Sequence, residues 1–185
     1  MKNIILASQS PRRKMLLEWA EIKFEVRVND TDESYPAGMT PEETAVYIAR
    51  NKAHAIRMEE DEIVIAADTI VVLGSEIIGK PRDRQHAMDI LTSLSGRVHR
   101  VITGVVIKDR SQEKSFYDST DVAFHELTAD QVAFYIDNYK PYDKAGAYAI
   151  QEWIGVVGIK SINGDFYNVM GLPVSRLVKT LQHFV

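Results

Sequence analysis

A chain of 185 residues, 45% of them hydrophobic and 26% charged, can bury a real core, which excludes a disordered or fibrous protein. A formal net charge of −4 and a pI near 5.7 exclude a protein that coats nucleic acid through many Lys and Arg on phosphates, so any anionic ligand must meet a local basic cluster. Cysteine is absent, which rules out disulfides, thiolate catalysis and Cys-based zinc sites.

The first apolar run, Ile4 to Ala7, reads as a buried strand. It is far shorter than the roughly 20 residues that span a bilayer and lacks a signal-peptide cleavage site, so cytoplasmic residence is the expectation. Ser8-Gln9-Ser10-Pro11 suits a helix start, Arg12 to Trp19 a helix, and Phe24 to Val28 a following strand. Asn29 to Gly38 is polar and loop-like. Thr40-Pro41-Glu42-Glu43 combines a Thr cap, a first-turn Pro and a capping-box Glu, and opens a helix expected to reach Met58. Ile63 to Ala67 reads as a second buried strand that stops at Asp68-Thr69. Ile70 to Leu73 and Glu76 to Ile78 flank Gly74-Ser75 as a hairpin.

Asp83 to Leu94 is helical by period and ends at Ser95-Gly96. Val98 to Lys108 and Glu113 to Phe124 read as long antiparallel strands, and Thr128 with Gln131 caps a helix running to Tyr139. Ile154 to Ile162, Asn163-Gly164 and Phe166 to Val169 carry the strongest hairpin signal in the chain. Gly171-Leu172-Pro173 then admits a helix from Val174 to His183. Early alternation of strand and helix with later hairpins predicts an α/β (mixed α+β) fold, an elongated mixed sheet flanked by helices. No repeat or linker divides it, so residues 1–185 are expected to form one domain, at most as two lobes around a central cleft.

Chemistry concentrates in a few segments. Ser8-Gln9-Ser10-Pro11-Arg12-Arg13 sets two hydroxyls and two guanidiniums at a helix N-terminus, which reads either as a phosphate cradle or as an ordinary capped start with solvated arginines. Asp68, after a buried strand, reads as a general base, a metal ligand or a turn cap. The acidic loop Asn29 to Glu33 offers carboxylates to a hard cation or simply to solvent. Gly74 to Lys80 nearly matches a P-loop, but Pro81 replaces the required Ser or Thr and Ile77-Ile78 looks like strand, leaving only Lys80 as an anion contact. Lys144 to Gln151 is a small-residue segment whose Gln151 offers donor and acceptor to a flat base. The five histidines show no ligand spacing, and no HExxH, GxSxG or GxGxxG occurs.

Taken together, LASQSPRR (6–13), AADTIV (66–71), GKPRD (79–83), LSGRVHRVITG (94–104), DKAGAYAIQ (143–151) and NVMGLP (168–173) resemble the Maf family of nucleoside triphosphate pyrophosphatases, almost end to end. That family is related in fold to the inosine triphosphate pyrophosphatases. The resemblance implies hydrolysis between the α- and β-phosphates, with Asp68 as proton acceptor and metal ligand and Glu33 as the second metal ligand. It implies a phosphate-binding set of Ser8, Arg12, Arg13, Lys52 and Lys80, the two lysines also serving catalysis. A carboxylate is a weak base, so Mg²⁺ or Mn²⁺ is expected to share the activation of water. Arg12, Thr69 and Gln151 resemble the branch acting on dTTP and UTP rather than the one preferring 7-methyl-GTP. Ala149 departs from a frequent family Gly. The resemblance further implies a homodimer and a setting in nucleotide removal or in arrest of septum formation. Two rivals stand beside it: a nucleotide-sensing regulator of septum formation without turnover, and a single-strand nucleic-acid binder, against which the net charge weighs.

Overall fold

The computed structural model describes residues 2–184. Seven strands, β1 (Asn3–Leu6), β2 (Glu25–Val26), β3 (Glu62–Leu73), β4 (Glu76–Ile78), β5 (Val98–Lys108), β6 (Glu113–Phe124) and β7 (Ile159–Asn163), form one mixed sheet in the order β2-β1-β3-β5-β6-β7, with β4 paired to β3. Helices α1 (Pro11–Trp19), α2 (Pro41–His54), α3 (Arg84–Leu94), α4 (Ala129–Tyr139), α5 (Trp153–Gly158), α6 (Phe166–Met170) and α7 (Val174–Leu181) flank it, joined by 3-10 turns at Pro141–Asp143 and Ala145–Ala147. The mixed sheet with flanking helices is the predicted class. Among the described residues no helix is long and apolar enough to cross a membrane.

The chain forms two compact units. The first comprises the residues up to Thr69, Thr103–Asp118 and those from Gly171 onward; the second comprises Ile70–Ile102 and Ser119–Met170. In the first, β1 pairs in parallel with β2 and with β3, in register Ile5↔Glu25 and Ile5↔Val64, as connections through helices require. Ile5, Ala7, Val64, Ala66 and Val106 meet Ala49, Ala53 and Ile56 in its core. The small alanines let α2 lie close on the sheet. At Gly104 the approach is closest: a Cβ there would stand 2.3 Å from the Ala45 carbonyl carbon and 2.4 Å from the Val46 nitrogen. Thr40 and Glu43 form the expected capping box, the Glu43 amide donating to Thr40 Oγ1 at 3.2 Å and the Thr40 amide to Glu43 Oε2 at 2.8 Å.

In the second unit β4 runs antiparallel to the end of β3 and β7 antiparallel to β6. Val71, Val101 and Val122 form a small core with Ile78, Ala145, Ile159 and Val169, while α3 packs against α4. Thr128 and Gln131 cap α4 reciprocally, as predicted.

Four expectations are corrected. β3 does not stop at Asp68-Thr69 but runs unbroken to Leu73; both polar residues find partners on neighbouring elements, so the ladder continues through them. α2 ends at His54 rather than Met58, because side chains take the carbonyls of the next turn: Asn29 donates to Ala55 O and Arg27 to Arg57 O. Only Glu25–Val26 of the strand expected over Phe24–Val28 forms, an exposed edge piece. The hairpin expected from Ile154 to Val169 is absent among the described residues. Trp153–Gly158 is helical, and past β7 the Asp165 carboxylate caps α6 by accepting the Tyr167 amide at 2.7 Å and the Asn168 amide at 3.2 Å. Asparagine-glycine here therefore leads into a helix.

Because backbone rather than a flexible side chain faces Gly104, Gly104→Ala should destabilise the chain by about 1–3 kcal/mol, read as a lower urea midpoint. Gly79→Ala, which meets nothing within 4 Å, should leave the midpoint unchanged.

Candidate active site

The turn after β1 and the start of α1 place Arg13 under the sheet's end, where it is only 8% exposed. Its guanidinium reads three neutral oxygens: Nε donates to the Gly171 carbonyl at 2.8 Å, one terminal nitrogen to Ser8 Oγ at 3.1 Å and the other to Thr69 Oγ1 at 3.0 Å. Thr69 Oγ1 in turn lies 2.9 Å from Oγ1 of the fully buried Thr103. Burial pushes the Arg13 guanidinium below its usual range, as does the neighbouring charge of half-buried Arg12, while the carboxylates of Asp68 and Glu33 act in the opposite sense. A buried cation hydrogen-bonded to neutral groups and balanced only at longer range favours an incoming anion. Its setting at a helix N-terminus adds to that: Ser10 ends the turn without a side-chain cap, and its own amide donates to Ser8 Oγ at 3.2 Å.

Asp68 and Thr69 are the only two residues of β3 that are not buried. Lys52, about three turns from the capped start of α2, is 2.6 Å from Asp68 Oδ1 and 2.8 Å from Glu33 Oε1, so one ammonium joins the two carboxylates. Within the acidic loop the work is divided. Asp32 accepts the Ser34 amide and hydroxyl, at 2.8 and 2.6 Å, bonds that hold its carboxyl below the usual range and shape the turn, whereas Glu33 reaches Lys52. Among the described residues no group of three or more His, Asp or Glu side chains gathers that would hold a cation alone.

Ser8, Arg12, Arg13, Glu33, Lys52, Asp68 and Thr69 thus belong to the first unit and are linked there by hydrogen bonds, ion pairs or electrostatics. Lys80 and Gln151, both exposed, belong to the second. Lys80 follows β4, where Glu76–Ile78 is strand rather than a phosphate loop, and the Gly79 carbonyl accepts the Gly146 amide at 3.2 Å. Gln151 sits in a turn closed by the Glu152 amide on the Ala149 carbonyl at 3.1 Å. Ahead of that turn the Tyr148 hydroxyl and buried His99 Nε2 share a hydrogen bond of 2.6 Å, with Phe124 packed on both rings. Burial alone lowers the His99 imidazole to about 4 and raises the Tyr148 phenol, so the pair is neutral.

Thr103 and the Gly171 carbonyl were not among the residues singled out from sequence. Both lie in segments of family resemblance, VITG and GLP; Gly171 needs its φ of 119°, open to glycine, to turn its carbonyl onto Arg13.

A family model described as Maf-like protein matches residues 3–184. A curated relative from Cytophaga hutchinsonii, named dTTP/UTP pyrophosphatase, is 51% identical over 181 residues, 97% of this chain and 83% of the relative. One of the same name from Parabacteroides distasonis is 50% identical over 184 residues, 98% and 95% of the two chains. Among solved structures, a HAM1 protein from Coxiella burnetii is similar with a TM-score of 0.51 at 15% identity, over 99% of this chain and 100% of that one. The Ham1 protein of Staphylococcus aureus gives 0.52 at 17% identity over 100% of both chains. At these identities the likeness to the two solved structures is one of fold.

Folded His99 titrates at about 4 and an unfolded imidazole near 6.5, so on acidification the unfolded chain takes the proton first. The contribution to stability is intact above pH 6.5 and is lost as pH falls towards 4. Urea unfolding at pH 7.5 and pH 5 should show wild type losing about 2 kcal/mol more than His99→Gln; equal losses would place the imidazole's titration elsewhere.

Proposed function

The chain belongs to the Maf family, and we propose that it hydrolyses the α–β phosphoanhydride of dTTP and UTP, releasing a nucleoside monophosphate and pyrophosphate. The observation that carries this reading is the clustering of Arg13, Lys52, Asp68 and Glu33 in one unit: cations to meet a polyphosphate beside a carboxylate to handle a proton. Such a set suits phosphoryl chemistry, in which positioning and charge neutralisation supply most of the rate. The names of the relatives from Cytophaga and Parabacteroides point to the same reaction.

In this reading Arg12, Arg13, Ser8, Lys52 and Lys80 bind the triphosphate. Water's oxygen bonds to the α-phosphorus, the bond from that phosphorus to the bridging oxygen breaks, and the electron pair leaves with pyrophosphate. Asp68 accepts the water's proton. Lys52 on Oδ1 fixes the carboxylate's orientation, so Oδ2 is assigned to the water. Asp68 and Glu33 also fit a divalent cation: their oxygens already converge on one positive centre, and hard Mg²⁺ or Mn²⁺ accepts two carboxylates with phosphate and water completing the shell. Such an ion supplies charge neutralisation on the phosphates and a more acidic water. Thr69 and Gln151 are assigned to nucleoside recognition, the Gln151 amide matching the donor and acceptor edge of a pyrimidine. The same proposal takes residues 1–185 as one catalytic domain, acting as a homodimer in the cytoplasm. A sensor without turnover would have no use for a proton acceptor at Asp68, which weighs against that rival.

Asp68→Asn keeps size and hydrogen bonding but cannot take a proton. It should lower kcat on dTTP with Mg²⁺ by about 10²–10⁴ while KM stays within several-fold. Chromatography of monophosphate and pyrophosphate reads the outcome, and a kcat within threefold of wild type would reject the role.

A further inference from the structure

Gln151 is exposed, yet the turn that carries it is gripped from within the fold. Tyr135 on α4 is wholly buried, and its hydroxyl donates to Glu152 Oε2 while accepting the Ala149 amide at 3.1 Å. One oxygen therefore holds the first and last residues of the turn Ala149-Ile150-Gln151-Glu152. The far carboxylate oxygen of Glu152 faces Lys144 Nζ at 3.8 Å, and the turn folds so closely over α5 that a Cβ at Gly155 would stand 1.6 Å from the Ile150 carbonyl oxygen. A buried phenol committed to both ends of a turn that buries Ala149 and Ile150 and leaves Gln151 exposed fixes the backbone on either side of that one exposed side chain.

We propose that Tyr135 is a positioning residue for base selection: its hydroxyl locks the turn and thereby fixes where the Gln151 amide presents its donor and acceptor. This rests on the assignment of Gln151 to the base. The chemistry requires such a lock. Uracil and cytosine differ by exchange of donor and acceptor on the edge an amide reads, and an amide free to turn over exchanges its own pair and matches both. A carrier whose backbone is fixed leaves the amide only its own side-chain rotations by which to match either base, and the buried hydroxyl supplies that restriction by bonding both ends of the turn before substrate arrives.

The test compares kcat/KM for UTP and CTP in wild type, Tyr135→Phe, Gln151→Ala and the double variant. Phenylalanine keeps the ring that stacks on Tyr139 and removes only the oxygen. Tyr135→Phe is expected to lower the UTP-to-CTP ratio on the order of tenfold, mainly through KM for UTP, with kcat nearly unchanged. The double variant is expected to match Gln151→Ala, since the hydroxyl acts through that side chain. A uniform loss on both substrates, or a loss that adds fully to that of Gln151→Ala, overturns the proposal while leaving the assignment of Gln151 standing. An unchanged ratio in Gln151→Ala instead removes that assignment, and the proposal with it. If Tyr135→Phe does not fold, Glu152→Gln, which weakens the same contact from the other side, carries the same comparison with the same outcomes.

Discussion

The structure around the candidate site depends on one ammonium held between two carboxylates. Lys52 joins Asp68 to Glu33, and the buried Arg13 guanidinium feels both carboxylates through space. Each of these charges is costly where solvent is scarce and becomes tolerable through the others. Much of the first unit brings them together: the capping box that starts α2, the alanines that let it lie on the sheet, and Gly104, without which β5 and α2 would be held apart. β3 carries Asp68 and Thr69 mid-strand, so their positions are set by the ladder rather than by a loop.

In the second unit hydroxyl groups make the corresponding contacts. There the segment ending in Gln151 is held by hydroxyls, Tyr148 on His99 and Tyr135 on both Ala149 and Glu152. Directional hydroxyl bonds fit the base-reading role proposed for that segment. Hydrogen bonds fix direction, and a base edge is read by direction, whereas a triphosphate is gripped chiefly by charge.

Much of this was legible in the chain. β5, β6, α3 and α4 follow from period and, for α4, from the capping pair Thr128 with Gln131, local signals that nothing distant overrides. Asp68-Thr69 was misread as a strand end because polar pairs usually stop a buried strand. Only Lys52, Arg13 and Thr103, remote in sequence, make them affordable inside one. The misread hairpin has the same origin. Gly155 serves a turn that doubles back onto α5, and Asp165 turns Asn163-Gly164 into a helix start through Thr120, whose Oγ1 accepts the Asp165 amide at 3.1 Å. Ser8, Arg12 and Arg13 stood out by chemistry alone. Lys52 entered through family resemblance, which also picked Glu33 out of an acidic loop already marked by its carboxylates, because an ion pair across 16 or 19 positions leaves no local pattern.

The central claim is that Arg13, Lys52, Glu33 and Asp68 act on one polyphosphate. A crystal structure with Mg²⁺ and a dTTP analogue whose α–β bridge resists hydrolysis tests it most directly. The account predicts phosphate oxygens against Arg12, Arg13 and Lys52, with the α-phosphorus one water away from the Asp68 carboxylate. A triphosphate seated away from these side chains, or with its γ-phosphorus facing Asp68, would contradict it.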